Sequence, residues 1–406
     1  MPTVQAATAG AVRRRPKDRK AMIARASAEA FTAFGYHAVS MSDIASRVGM
    51  SAPALYRHAS GKYELFRDAV LDLVQQLVDQ TDFADAPSDV SAAAQLDQLI
   101  EALIETSIAN RGSGGLYRWE GRYLNDADQA VLGERIKLVN RRVQRPLARL
   151  RPELDSRERW TLSSAILSVI GSISDHRARL AAPDIQEVLR GLSQTVLGAQ
   201  LPSIATGSDQ RTEPPVVDLG TSTTSAGRYE ALLTASMKLF STQHYHETSM
   251  EDIAAQVGMS VSGIYRYFTG KPDLLAASFR RAADRLSGDL ASVLAVEKDP
   301  ARALTKLIEA YVARSFEDPD LAMAYYAERG SLPEPDRTIL HNVQLATVDT
   351  WVRLVVAADP ERTPERARFA VHAAFGLVVD LGRLVGYDNT ELSRARVRAL
   401  MAAVLL

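Results

Sequence analysis

The sequence predicts an all-α chain built as two tandem copies of one helical unit. Three observations carry this. Residues 19–70 align with 228–279 at a constant shift of 209 without a gap, and twenty of the 52 positions are identical. Each aligned stretch reads as helix, tight glycine turn, helix. The long stretches after them repeat apolar residues at helical spacing. The chain's 406 residues also exceed what one ordinary core organises, so two or more domains are expected.

Each copy opens on an amphipathic helix, marked by Met22, Ile23, Ala26, Ala30, Phe31 and Phe34 in the first and by Leu232, Leu233, Ala235, Leu239 and Phe240 in the second. A second helix follows at Ser40-Met-Ser-Asp-Ile-Ala and Ser249-Met-Glu-Asp-Ile-Ala, where a hydroxyl can cap the helix and an acid in its first turn suits the dipole. It stops at Val48-Gly49-Met50-Ser51 and Val257-Gly258-Met259-Ser260, because Gly accepts the left-handed turn and Ser can cap what comes next. The third helix is expected over Pro53 to His58 and Ser262 to Tyr267, with Leu55 and Ile264 as anchors. Its remaining faces are polar or small and must meet something polar.

The likeness continues past these motifs at a shift of 208, pairing Glu120 with Glu328, Leu124 with Leu332, Asp128 with Asp336 and Pro152 with Pro360. The whole half-chain is therefore duplicated. Between the halves, Leu201 to Ser225 holds Pro202, Pro214, Pro215, Gly207, Gly220 and a Thr/Ser run, which reads as a linker. The expected domains are a disordered basic arm (1–17), a first helix-turn-helix domain (18–66), a first helical bundle (67–200), the linker (201–225), a second helix-turn-helix domain (226–275) and a second helical bundle (276–406).

Composition is that of a globular chain, 46% hydrophobic and 24% charged, with no apolar run near the roughly 18 residues of a membrane span. No membrane partner is expected. Met1 to Lys20 lacks the apolar core of a secretory signal and the chain has no cysteine, so the expected compartment is the cytoplasm. The net charge of −1 hides an uneven distribution: residues 11–70 carry eleven Lys/Arg against five Asp/Glu, while residues 228–281 carry six against five. The first block favours a polyanion.

The strings Ser40 to Ala45, Gly49, Leu55-Tyr56-Arg57-His58 and Lys62-Tyr63-Glu64-Leu65 resemble the DNA-binding region of the TetR family. So do Ser249 to Ala254, Gly258, Ile264-Tyr265-Arg266-Tyr267-Phe268 and Lys271-Pro272-Asp273-Leu274. The first copy departs where the family has Phe, since Ala59 stands there, and Pro53 sits early in its third helix, where Pro is tolerated. The resemblance implies two three-helix heads, each followed by a helical bundle that binds a small inducer and pairs with a partner bundle. Here the partner is the other half, giving an intramolecular pseudo-dimer, a monomer that needs no second chain. It also implies that Tyr56 and Tyr265 donate to phosphate and that Lys62 and Lys271 add charge and free backbone N–H groups at the start of the fourth helix.

Base readout then falls to exposed positions of the third helices. These are Ser51, Ala52, Ala54, Arg57 and His58 in one head and Ser260, Val261, Ser262, Gly263, Arg266 and Tyr267 in the other; either Arg can grip guanine through two bonds or instead meet phosphate or solvent. The arm around Arg13, Arg14 and Arg15 either follows the phosphates and minor groove or is a plain solvated tail. Because the recognition strings differ, a double-stranded operator with unlike half-sites is expected.

In the sensor stretches, Leu96, Leu99, Ile100, Leu103, Ile104 and Ile108, then Leu162, Ile166, Leu167, Ile170 and Ile173, and finally Ala370, Ala373, Ala374, Leu377, Val378 and Leu381 read mainly as packed core. Polar hints of a ligand are Trp119, Arg122 and Tyr123, beside Arg118 and Glu120, and Tyr325, Tyr326 and Arg329 beside Glu328. They serve a pocket with Arg pairing an acidic head group, an interdomain ion-pair network or ordinary burial. The basic opening and Arg122-Tyr-Leu-Asn also resemble mycobacterial tandem TetR-type repressors of mammalian-cell-entry lipid-import operons, which implies a lipid or acyl-CoA inducer.

The expected function is a DNA-binding repressor released by a small ligand; the alternative is a regulator or scaffold in which only one head binds DNA and the other unit packs or senses. No catalytic site is expected. Gly263 and Gly270-Lys271 are wrongly spaced for a phosphate loop and Pro272 stands where Ser or Thr is required, nucleophile and zinc signatures are missing, and His244 with His246 makes no metal site. No cofactor is implied.

Overall fold

Caps and glycine turns make the heads. The computed structural model describes residues 16–87, 89–203 and 225–406, so Arg13, Arg14, Arg15 and most of the linker lie outside it. The first head is α1 (Pro16–Ala38), α2 (Met41–Val48), α3 (Ala52–Leu55) and the start of α4 (Lys62–Gln80). Ser40 and Asp43 close a reciprocal capping box on α2, Gly49 ends it at φ 70°, and Ser51 caps α3 by accepting from Ala54 N–H. Phe31, Ile44, Leu55 and Phe66 are buried and hold the helices together.

After the described residues resume at 225, the same devices recur. Here α9 (Ser225–Thr242), α10 (Met250–Gln256), α11 (Val261–Ile264) and the start of α12 (Lys271–Val296) carry the Ser249–Asp252 capping box, Gly258 at φ 64° and the Ser260 cap. The third helices are shorter than expected. Each is a single turn followed by a looser one, with Leu55 or Ile264 as its buried anchor. The expected head–sensor boundaries fall inside α4 and α12, so each head shares a continuous helix with its bundle.

The first bundle continues with α5 (Ala92–Ala109), α6 (Asp126–Leu150), α7 (Ser156–Gly171) and α8 (Ala182–Gly198). The second continues with α13 (Pro300–Glu317), α14 (Pro319–Glu328), α15 (Glu334–Ala358), α16 (Pro364–Leu384) and α17 (Glu391–Leu405). The copies diverge before α6. The second has the regular helix α14, whereas the first has only short helical turns over Leu116–Glu120 and Gly121–Tyr123. Gly112, Gly114 and Gly115 precede those turns, and glycine disfavours a regular helix by about 1 kcal/mol per residue.

The bundles share one apolar core. α7 packs on α16 and α8 on α17, each against its own repeat mate, as at a two-fold interface. Leu162, Ile166 and Val169 join Ala370, Leu377 and Val378 in that core. At its rim Arg366 pairs with Glu187 and Arg396 with Glu158 at 3.1 Å. Exposed pairs such as the first are worth about 1 kcal/mol or less, so the buried seam dominates. Among the described residues no helix is long and apolar enough to cross a membrane.

Candidate nucleic-acid interface

Each third helix ends in an exposed aromatic residue. Tyr56 is 55% exposed and Tyr265 53%, too open to serve packing, and Arg57, His58 and Arg266 beside them are exposed as well. Ser51, Ser260 and Ser262 are exposed, Ala52, Ala54, Val261 and Tyr267 half-buried. The capping hydroxyls are engaged: Ser51 and Ser260 accept from Ala54 and Gly263 N–H, while Ser40 and Ser249 also donate to Asp43 and Asp252.

Two expectations are corrected. Gly263 is buried, and a Cβ there would meet Ser260 Oγ at 3.2 Å and Met259 Cε at 3.3 Å, so it is a packing position rather than a readable surface. Lys62 and Lys271 turn inward. Lys62 Nζ donates to Tyr36 O at 3.0 Å, and Lys271 Nζ to Tyr245 O at 2.8 Å and Thr248 O at 2.7 Å. Each ammonium also lies over a Tyr ring, 4.5 Å from the Tyr36 centroid and 4.9 Å from that of Tyr245. They brace the α1–α2 and α9–α10 connections rather than offering free charge at the start of the fourth helix.

The family model for bacterial regulatory proteins of the tetR family matches residues 23–69 and 232–278, the two heads. Both heads, and they alone, fall within these two matches. It is 43% identical over 66 residues to the transcriptional activator FasR of Mycolicibacterium smegmatis (16% of this chain, 30% of that protein). It is 26% identical over 120 residues to the transcriptional regulator HbdR of an Aromatoleum species (30% and 52%). The matches thus span about half or less of these relatives' lengths. A tetR-family regulatory protein from Rhodococcus RHA1 is similar in structure at 22% identity and a TM-score of 0.40, over 44% of this chain and 95% of that one.

A pair of carboxylates, half-buried Glu120 and buried Glu328, seats the heads on the bundles. Glu120 accepts from Tyr36 N–H at 3.0 Å, and Glu328, its repeat mate, from Tyr245 N–H at 3.4 Å. The residue before each N–H is left-handed: Gly35 at φ 78° and, where the repeat has lost its glycine, His244 at φ 68°. Repeat mates His37 and His246 stack here with centroids 4.1 Å apart, so the heads touch at their hinges. The sequence signals this seat only through the Glu120–Glu328 alignment.

Burial raises the Glu120 carboxyl from 4.5 to about 7, against the Tyr36 N–H and Arg122, which lower it. Its protonated form therefore favours the folded chain. That contribution is full below about 4.5 and is lost as pH rises through about 7. Glu120→Gln keeps the acceptor and removes the ionisation. Its stability relative to the parent, read from urea unfolding, is expected to climb between pH 4.5 and 7 and level off above.

The expected ligand residues divide between packing across the units and cavity walls. Trp119 stacks on Tyr326 at 4.5 Å and donates to Asp175 at 2.7 Å; Arg122 pairs with Glu328 at 2.5 Å and donates to Tyr123 OH, which itself donates to Glu328. Arg118, beside them, binds Asp175 and Asp380. A cavity of about 430 Å³ opens inside the first bundle, with Trp119 and Arg122 on its wall. One of about 160 Å³ lies in the second, walled by Tyr325, Tyr326, Tyr311, Trp351 and Phe375. Arg329 is exposed beside a third space beneath the first head, whose wall includes Tyr123.

Proposed function

We propose that this chain is a cytoplasmic transcription repressor whose two heads grip one double-stranded operator as a single-chain pseudo-dimer, and that a small ligand in the bundles releases it. The carrying observation is one exposed Tyr-Arg pair on each head of a chain whose halves meet through repeat mates, His37 on His246 and α7 on α16. A ligand that favours a head spacing unsuited to adjacent grooves weakens DNA binding by the same factor by which DNA weakens ligand binding. The narrower likeness to repressors of lipid-import operons adds a lipid or acyl-CoA ligand to this reading. The relative FasR is named an activator, and a promoter–reporter fusion compared with and without the gene fixes the sign here.

Light scattering of the free chain is expected at 44.3 kDa, with one chain per site when operator DNA is added. A tight dimer of full chains overturns the pseudo-dimer. Tyr56→Ala and Tyr265→Ala are each expected to weaken operator binding roughly ten- to a hundredfold, the value of a hydrogen bond to a charged group. The one-head reading is favoured by the near-neutral second head, with six Lys/Arg against five Asp/Glu. Loss with Tyr56→Ala alone supports it.

A further inference from the structure

We propose that the first cavity is a cross-unit site for an anionic amphiphile, an apolar chain ending in one acidic group, and that its occupancy acts on the second head. This rests on the reading of the chain as a ligand-controlled DNA-binding protein.

The two cavities occupy equivalent places: Leu77, Tyr117 and Leu132 wall the first where Leu286, Tyr325 and Leu340 wall the second. Their enclosures differ. The second is walled by its own unit throughout, whereas the first borrows Ser241, His244, Ala327, Asp380 and Arg383 from the other. Their chemistry differs too. Ile136 and Val139 line the first where Gln344 and Thr347 line the second, and Leu167 stands in place of the bulkier Phe375. The first cavity is the larger, with an aliphatic side suited to an alkyl chain.

Its polar side carries three arginines, Arg118, Arg122 and Arg383, two of them already paired. Arg118 is neutralised by Asp175 and Asp380, and Asp380 also accepts from Ser168 at 2.6 Å. Arg122 is held by Glu328, but its buried Nε has no partner. Arg383 is exposed and pairs with no carboxylate among the described residues; its guanidinium donates to Arg118 O at 3.5 Å and lies 6.0 Å from the Trp119 ring centroid. An acidic head group placed between Arg383 and Arg122 Nε satisfies both.

The route to the second head is short. His244 lies on the cavity wall and is its hinge residue, one position before the N–H that rests on Glu328. Arg122 on the same wall holds that carboxylate. A head group that draws on Arg122 therefore loosens the seat of the second head; the first head meets this cavity only through the apolar side chains of Val74 and Leu77 on α4, and its seat, Glu120, forms no wall of it.

The probes are decanoate and its uncharged match decanol, titrated into the full chain. Trp119 lines the first cavity and Trp351 the second, so decanoate is expected to change tryptophan emission in the parent and in Trp351→Phe but not in Trp119→Phe. By calorimetry, Arg383→Gln is expected to weaken decanoate about tenfold and leave decanol unchanged. Equal binding of acid and alcohol by the parent, or a signal lost with Trp351→Phe instead, overturns the site. On operator DNA, decanoate is expected to erase the second head's half of the footprint first. Loss of the first half first, of both halves together or of neither overturns the cross-unit route. Failure of the parent to bind DNA at all counts against the regulator reading, and the emission and calorimetry then still decide the site.

Discussion

Arg118→Ala is expected to lower the stability of the full chain by about 3 to 5 kcal/mol, the toll of stranding buried charges. The Arg118 and Asp175 side chains are only 8% and 7% exposed, and the guanidinium bonds Asp175 at 3.0 Å and Asp380, from the other unit, at 2.6 Å. Burial alone lowers the Arg118 pKa, yet the two carboxylates carry it above its ordinary value; burial pushes Asp175 up against the pull of Arg118. Removing the cation leaves two carboxylates without the guanidinium that bridges them, and of the cations only the more distant Arg329 still acts on Asp175. The cluster occurs once, not twice, because the repeat mates of Arg118, Asp175 and Asp380 are Tyr326, Arg383 and Ser172. It therefore distinguishes the halves from each other. Urea unfolding checks the prediction, and adding Asp175→Asn with Asp380→Asn is expected to recover most of the loss. A fall of less than about 1 kcal/mol in the single variant, the scale of an exposed pair, would show that water screens the site.

What the sequence disclosed and what it hid divide along one physical line. The heads were legible because caps and turns are local: Ser40 and Asp43 lie three residues apart, and Gly49 needs nothing beyond its own φ. The buried faces of α7 and α16 were legible from periodicity. The inward turn of Lys62 was not, because its partners are carbonyls of Tyr36 and His37, some 25 residues away. Nor could spacing choose between pocket and ion pair for Arg122, whose partner Glu328 is 206 positions distant in the other copy. His244 hid the second hinge for a different reason: the glycine that marks the first is missing, and the surrounding fold imposes the left-handed backbone on a residue that rarely adopts it.

The largest expected effect on DNA comes from spacing rather than mutation. Each head belongs to a bundle through an unbroken helix, α4 or α12, and the bundles share one core, so the distance between third helices is set by the fold. On the proposed single-chain pseudo-dimer, heads held this way are expected to read two half-sites about one helical turn apart on one face of the duplex. Inserting about 5 base pairs between the half-sites puts the second on the opposite face, and specific binding is expected to fall toward the non-specific level, a loss on the order of a thousandfold or more. The half-sites should also be unlike. One head presents Ser51-Ala-Pro-Ala-Leu-Tyr-Arg-His and the other Ser260-Val-Ser-Gly-Ile-Tyr-Arg-Tyr, so an exposed His58 stands where the second head places a half-buried Tyr267. Duplicating either half-site into a palindrome is expected to weaken binding roughly ten- to a hundredfold, the value of one or two lost base contacts. Fluorescence anisotropy at a fixed salt concentration measures both effects, since phosphate contacts make any affinity salt-dependent. A palindrome bound more tightly than the native site would sink the assignment of the two heads to different sequences, while an unaffected spacing variant would mean that only one head touches DNA.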